Sequence, residues 1–130
     1  MKKRTISMIM LWLITIISII MNMNNTITGK GSVENTLITT IYIVYWSAFV
    51  IVNKNHKHHI YTAIWSGATL ITAIIGLIIS TLHLDGGILI IVFALIFLSP
   101  FNGLLSIVGH NWTIIYSITI TISILWLLLA

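Results

Sequence analysis

Three histidines in one short connection are the side chains best suited to metal chemistry in this chain. His56, His58 and His59 fall within residues 53–59, and neutral imidazoles bind zinc, copper or nickel. No Cys, Asp or Glu is nearby to complete a site, and the charge of Lys57 would repel a cation. We therefore expect no metal and no cofactor here. The loop is better interpreted as an interfacial segment attracted to anionic lipid headgroups.

A second candidate site is the sequence Ser99-Pro100-Phe101-Asn102-Gly103, which interrupts a long apolar run. Pro100 has no backbone N–H and its ring presses on the preceding turn, so carbonyl oxygens are freed there. Asn102 adds an amide and Ser99 a hydroxyl. Broken helices with free carbonyls bind ions or substrates in several transporter folds. The alternative is a tolerated kink whose polar groups satisfy one another, and we favour it because no matching break occurs elsewhere in the chain.

A stripe of small residues is the clearest packing signal. Its six members follow one another at spacings of four, three, four, three and four, and they are Thr62, Ser66, Thr69, Ala73, Gly76 and Ser80. Small residues let membrane helices approach closely, and hydroxyls form bonds between them. The stripe predicts either packing against the chain's own helices, which we favour, or a surface for another membrane protein or a second copy.

Catalytic chemistry finds no support in the remaining residues. His83 and Asp85 could form a dyad, but the spans predicted below put His110 a membrane thickness away. No set of nucleophile, base and orienting group can be assembled. The chain has no cysteine, which excludes thiolate catalysis and disulfides. We expect a protein that is not an enzyme.

The elements that carry these residues are apolar runs long enough to cross a bilayer. Hydrophobic residues make up 58% of the 130 residues and charged residues 6%, and the mean hydropathy is +1.12. A soluble fold of this size could not bury that surface. We predict an all-α integral membrane protein, a polytopic bundle forming a single domain over residues 1–130. Its predicted spans are about 5–21, 36–52, 60–82, 88–108 and 113–130.

The number of crossings depends on the break at Pro100. If the break is a kink, there are five transmembrane helices; if it is a true break, there are four plus a re-entrant segment at 88–108. We favour five, because membrane helices accommodate proline readily. Lys and Arg concentrate before the first span and in the 53–59 connection, so the N-terminus is predicted to be cytoplasmic. The C-terminus is outside if there are five spans.

Two local patterns change meaning in a membrane. Residues 117–124 alternate polar and apolar as a strand would. A strand in lipid needs a closed barrel, so we predict a helix. Trp46, Trp65, Trp112 and Trp126 lie near predicted span ends and are interpreted as interfacial anchors.

The composition favours a small, non-catalytic membrane protein in the cell membrane of a bacterium. We expect an accessory or immunity-type partner of another membrane component, since the chain has almost no soluble surface and no charge within its spans. The alternative is a minimal transporter or channel subunit that self-assembles and uses the broken helix at Pro100. Expected partners are the lipid bilayer and a membrane protein or a second copy; no nucleic acid is expected, because the net charge of +4 is spread over small clusters.

Overall fold

The structure, a computed structural model, describes residues 2–28, 31–54, 59–109 and 111–130, and within these ranges every regular element is helical. Five helical stretches are long and apolar enough to cross a membrane. Four are continuous α-helices and one, Gly87–Val108, is broken. The elements are α1 (Lys2–Thr28), α2 (Val33–Val52), α3 (His59–Leu82), α4 (Gly87–Phe93), a π-helical turn (Ala94–Leu98), a 3₁₀ turn (Ser99–Leu104), α5 (Leu105–Val108) and α6 (Trp112–Leu129).

The helix ends carry recognisable signals. The side chain of Ser32 accepts a hydrogen bond from the Asn35 amide at the start of α2, and Asn111 caps Ile114 in the same way at the start of α6. Gly109 follows α5 with φ +62°, a conformation that glycine adopts without strain. Residues 117–124 lie within α6, so the prediction of a helix there is confirmed.

The first helix is longer than predicted. It was expected to end near Met21, before a polar connection, but it continues to Thr28. Two of the three asparagines in this last part have side-chain partners on α2, so they do not compete for the helix backbone. Asn22 donates to Thr39, and Asn25 accepts from Asn35.

The helices α1 and α2 form an antiparallel pair that defines two ends of the bundle. Thr15 bonds to Trp46, and seven residues later Asn22 bonds to Thr39. We call the end with the first residues of α1 the basal end, and the end with the 28–33 connection the distal end. The helix α3 starts at the basal end, where Trp65 stacks on Trp46 with ring centroids 5.9 Å apart.

The helix α6 lies against α3 and runs in the opposite direction. Near the distal end, a Cβ atom on Gly76 would lie 3.0 Å from the Tyr116 ring. Towards the basal end, Trp126 stacks on Trp46 at 5.4 Å. Leu129 and Ala130 pack against the same apolar cluster as Met8. Both chain termini are therefore at the basal end.

The broken segment, Gly87–Val108, turns back on itself within the bundle. Residues 87–98 pass along α3 from Ile79 towards Trp65, which lies 4.8 Å from Phe97 between ring centroids. Residues 99–108 then return, because Gly103 packs on Asn35 and Leu105 packs beside Gly31 at the distal end. A straight crossing would separate Gly86 from Trp112 by the length of the bundle, whereas both line one cleft.

Candidate functional site

The turn of the broken segment is the most deeply buried polar region of the described chain. Ser99, Pro100, Phe101, Asn102 and Gly103 are all buried. The kink begins where Pro100 cannot donate a hydrogen bond, and the preceding residues widen into a π-helical turn. This exposes several backbone and side-chain polar groups, each of which needs a partner in the protein interior.

Threonines of α2 supply partners for the freed carbonyls. The Thr39 hydroxyl donates to the Pro100 carbonyl at 2.6 Å, and the Thr36 hydroxyl donates to the Gly103 carbonyl at 2.6 Å. Thr36 also contacts the Ser106 hydroxyl. The two threonines are three residues apart, so they lie on one face of α2, and that face lies against the turn. Each of these carbonyls thus has a hydrogen-bond partner within the chain.

The helix α1 provides the other half of the network. The hydroxyls of Thr26 and Ser99 are 2.7 Å apart, and the Asn102 amide nitrogen donates to Thr26 at 2.6 Å. Asn22 donates to Thr39 at 3.2 Å, which links the two halves. Every side chain in this network is uncharged, so burial does not require an ion pair. The network holds three elements together at the distal half of the bundle.

Gly103 allows the turn to approach α2 at backbone distance. A Cβ atom built on Gly103 would lie 2.6 Å from the carbonyl carbon of Asn35 and would also overlap the Thr39 hydroxyl. No side chain fits there, because real Cβ contacts are not shorter than 3.0 Å. The glycine is therefore required for both threonine bonds to the turn.

One acceptor of the network remains without a partner. Among the described residues, four buried side-chain atoms make no hydrogen bond: the hydroxyls of Ser18, Ser66 and Ser123, and Oδ1 of Asn102. An amide oxygen is a strong acceptor, and leaving it unpaired costs about 1–3 kcal/mol. Asn102 is fully buried and borders the cleft described next.

The cleft has a volume of about 430 Å³ and lies between the broken segment, α3 and the ends of α1 and α6. This is within the range of about 300–1,000 Å³ of small-molecule sites. Most of its lining is aliphatic, with Trp112 and Tyr116 at one wall, and none of the described residues that line it is charged. Its polar groups come from Thr26, Thr72, Ser80, Tyr116 and Asn102.

An aromatic cluster fills the bundle on the basal side of the turn. Trp46, Trp126, Tyr42 and Phe101 are buried, and successive ring centroids lie 5.4–6.1 Å apart. Trp12 and Trp65 extend it. The interpretation of Trp46 and Trp126 as interfacial anchors is wrong, because both are core residues whose indole nitrogens donate to Thr15 and Ser47. This cluster closes the bundle below the cleft.

The small-residue stripe of α3 packs inside the chain. Thr62, Ser66, Thr69, Ala73 and Gly76 are buried, while Ser80 is half-buried and lines the cleft. The opposing face belongs to α6, whose buried residues are Ile115, Thr119, Ser123 and Trp126. Much of the stripe is thus already covered by a neighbouring helix.

Among the described residues, the titratable candidates form no common site. His59 is exposed at the start of α3, and His56, His58 and His110 lie outside the described residues. His83 and Asp85 are exposed in the connection after α3, where Asp85 accepts a hydrogen bond from Gly87 at 3.3 Å. Within the described part of the chain, no three His, Cys, Asp or Glu residues are grouped to hold a metal.

Sequence reasoning missed the face of α1 that supports the turn. Its buried residues are Leu11, Thr15, Ser18, Asn22 and Asn25. Their spacings of four, three, four and three are the same signal that identified the stripe of α3. The asparagines were read as a connection, which hid the periodicity. Comparison of the chain with protein-family models, with curated proteins and with solved structures finds no match.

Proposed function

We propose that the protein is a multi-pass membrane protein with four crossing helices and one re-entrant segment. The four are α1, α2, α3 and α6, and the re-entrant segment is Gly87–Val108, which enters and leaves at the distal end. The contacts of Gly86, Trp112 and Leu105 at that end support this reading over five crossings. Non-helical or broken backbone is tolerated at membrane depth where protein surrounds it, as at the buried turn.

The charge distribution orients this arrangement. Lys3, Arg4 and Lys54 lie at the basal end of the described chain, which the positive-inside rule assigns to the cytoplasm. Both termini are then cytoplasmic, and the cleft lies in the outer half of the bundle. The sequence-based expectation of an external C-terminus depended on a fifth crossing and changes with it.

The natural absence of cysteine allows a direct test of this topology. Single cysteines at Asp85, Asn111 and Lys54 are labelled in intact cells with a membrane-impermeant maleimide. We expect labelling at the first two positions and none at Lys54 until the membrane is permeabilised. Labelling at Asp85 with protection at Asn111 would refute the re-entrant arrangement and restore five crossings.

Within this arrangement we assign the protein a non-catalytic binding role, as an accessory or immunity-type partner in the membrane. The observation that carries the proposal is an uncharged cleft that Asn102 of the buried turn lines, while the buried aromatic residues Trp46 and Trp126 are not among its lining residues. We infer from this that the cleft ends blindly at the turn. A blind, uncharged cleft suits recognition of an apolar group. The described residues that line it include no carboxylate, imidazole or amino group.

The test is native mass spectrometry of the protein extracted from its own membrane in a mild detergent. We expect a heteromeric complex, which Ser80→Leu weakens because the added side chain occupies the cleft. Ser117→Leu is the matched control, since Ser117 is exposed on α6 and does not line the cleft. A protein that is monomeric in both variants and in the natural sequence would contradict the accessory role.

A second candidate is a transporter or channel subunit formed by self-assembly. The unpaired Oδ1 of Asn102 beside the cleft favours it, because a translocated molecule would need such an acceptor. Two features count against it. The carbonyls of Pro100 and Gly103 already accept hydrogen bonds from threonines, and the aromatic cluster fills the basal half of the bundle. Solute flux in liposomes that is lost in Ser80→Leu and retained in Ser117→Leu would favour this candidate over the accessory role.

A further inference from the structure

We infer that the cleft binds an uncharged amphiphile, an apolar chain carrying a hydroxyl group, with the hydroxyl donating to Oδ1 of Asn102. The inference rests on the binding role proposed for the cleft and names its ligand class. Two independent observations carry it: a cleft of about 430 Å³ that Asn102 lines, and an Oδ1 atom of Asn102 that has no hydrogen-bond partner. This oxygen is itself buried, so the inference requires the Asn102 side chain to turn towards the cleft when the ligand binds.

The residues that line the cleft favour a ligand with an apolar chain. Aliphatic side chains from three elements form most of the wall, among them Ile79 of α3, Ile90 of α4 and Leu95 of the π-helical turn. Apolar chains are also the surrounding solvent in a membrane, so such a molecule reaches the cleft by lateral diffusion. The described residues that line the cleft include no Lys, Arg, Asp or Glu. A charged headgroup would therefore be desolvated without compensation.

The unpaired Oδ1 atom of Asn102 favours a ligand whose headgroup donates a hydrogen bond. Asn102 already uses its amide nitrogen to donate to Thr26 at 2.6 Å, and this leaves Oδ1 as the free group. Only a hydrogen-bond donor satisfies it, and an uncharged hydroxyl does so without an ionic cost. An alkane of the same length would leave the acceptor unpaired, which corresponds to about ten-fold weaker binding. A lipid with a free hydroxyl or an alcohol arriving from outside share this chemistry.

Tryptophan fluorescence in lipid nanodiscs provides the test, because Trp112 lines the cleft. The probes are a terminally brominated long-chain alcohol and the alkane and carboxylate of the same length, since bromine quenches indole emission. We expect saturable quenching by the alcohol, about ten-fold weaker quenching by the alkane, and little by the carboxylate. Quenching should be lost in Trp112→Phe and in Ser80→Leu and retained in Ser117→Leu.

A further variant tests the headgroup contact. Asn102→Leu should bind the alcohol and the alkane equally. If this variant does not fold, the three probes and the comparison of Ser80→Leu with Ser117→Leu decide. Equal, non-saturable quenching by all three probes, or a preference for the carboxylate, would overturn the inference. The failures are separable: alcohol binding without a protein complex refutes only the accessory role, and a protein complex without alcohol selectivity refutes only the ligand class. The two sources of the ligand can also be distinguished. If the added alcohol quenches equally well whether or not the nanodisc contains lipids with a free hydroxyl, the ligand is an alcohol that arrives from outside the membrane.

Discussion

Replacing Gly103 by alanine should destabilise the protein more than any other single methyl group added to a described glycine. The new Cβ atom would meet the Asn35 carbonyl carbon at 2.6 Å, and helix backbone cannot yield as a flexible side chain would. Overpacking of a buried site costs about 1–3 kcal/mol. Displacing the turn would also break the Thr39 bond to Pro100, for about 1–3 kcal/mol more when the buried carbonyl is left unpaired. We expect a total loss of about 2–6 kcal/mol.

The assay is reversible unfolding in mixed micelles, in which a denaturing detergent is titrated into a mild one. Trp46, Trp65 and Trp126 are stacked, so their fluorescence reports the loss of packing directly. Gly67→Ala is the matched control, because a Cβ atom at Gly67 has no neighbour within 4 Å. Alanine is the better helix former, so this control should be neutral or stabilise the protein by up to about 1 kcal/mol.

Equal free energies of unfolding for Gly103→Ala and Gly67→Ala would refute the reasoning. If Gly103→Ala unfolds within about 0.5 kcal/mol of Gly67→Ala, a typical limit for surface substitutions, then the turn does not approach α2 as described. The two threonine bonds to the broken segment, and the re-entrant arrangement that depends on them, would then have to be abandoned.

Three further predictions use the same unfolding assay. Thr39→Val should lower stability by about 1–3 kcal/mol because it removes a buried hydrogen bond to the turn. The control is Thr40→Val, at an exposed position whose hydroxyl bonds within its own helix, and it should change stability by less than about 0.5 kcal/mol. Equal losses in the two variants would contradict the network. Trp46→Phe should lower stability by about 1–3 kcal/mol, since it removes the buried hydrogen bond from the indole to Thr15 and leaves a cavity where the larger ring was. The Thr15 hydroxyl keeps its own bond to the Leu11 carbonyl, and an unchanged midpoint would argue against the aromatic core. Gly76→Leu should lose about 1–3 kcal/mol by forcing the Tyr116 ring away, with Gly67→Leu as the tolerant control; loss of a protein complex without loss of stability would instead indicate that the stripe binds a partner.

The apolar helices were predictable because their signal is long and uninterrupted. Runs without charge identified five stretches, and the structure begins and ends α2, α3 and α6 within a few residues of the predicted limits. The strand-like alternation of residues 117–124 did not mislead, because lipid admits no open strand edge. Length alone, however, cannot tell a crossing from a segment that turns back.

The sequence left two readings of the turn open, a kink or a re-entrant segment, because its stabilisation is not local. Pro100 and Gly103 indicated a break, but whether it kinks or reverses the chain depends on Thr36 and Thr39, more than sixty residues earlier. The tryptophans were misread for a related reason. Position near a span end is typical of interfacial anchors, while burial of Trp46 is decided by Trp126 and Trp65 from other helices.

The partnership between α1, α2 and the turn has a consequence for biosynthesis. Translation delivers Thr26, Thr36 and Thr39 long before Ser99 and the carbonyls that they bind. Until then, Thr26 and Thr36 can bond only to carbonyl oxygens near them in the chain, those of Asn22 and Ser32. If the helices insert into a membrane as proposed, this face of the hairpin lacks the partners of the finished bundle. The packing of the first hairpin is therefore completed only when the last third of the chain has been made. A ribosome that stalls after α3 would leave a nascent product with an uncapped polar face, and that product should be cleared by membrane proteases.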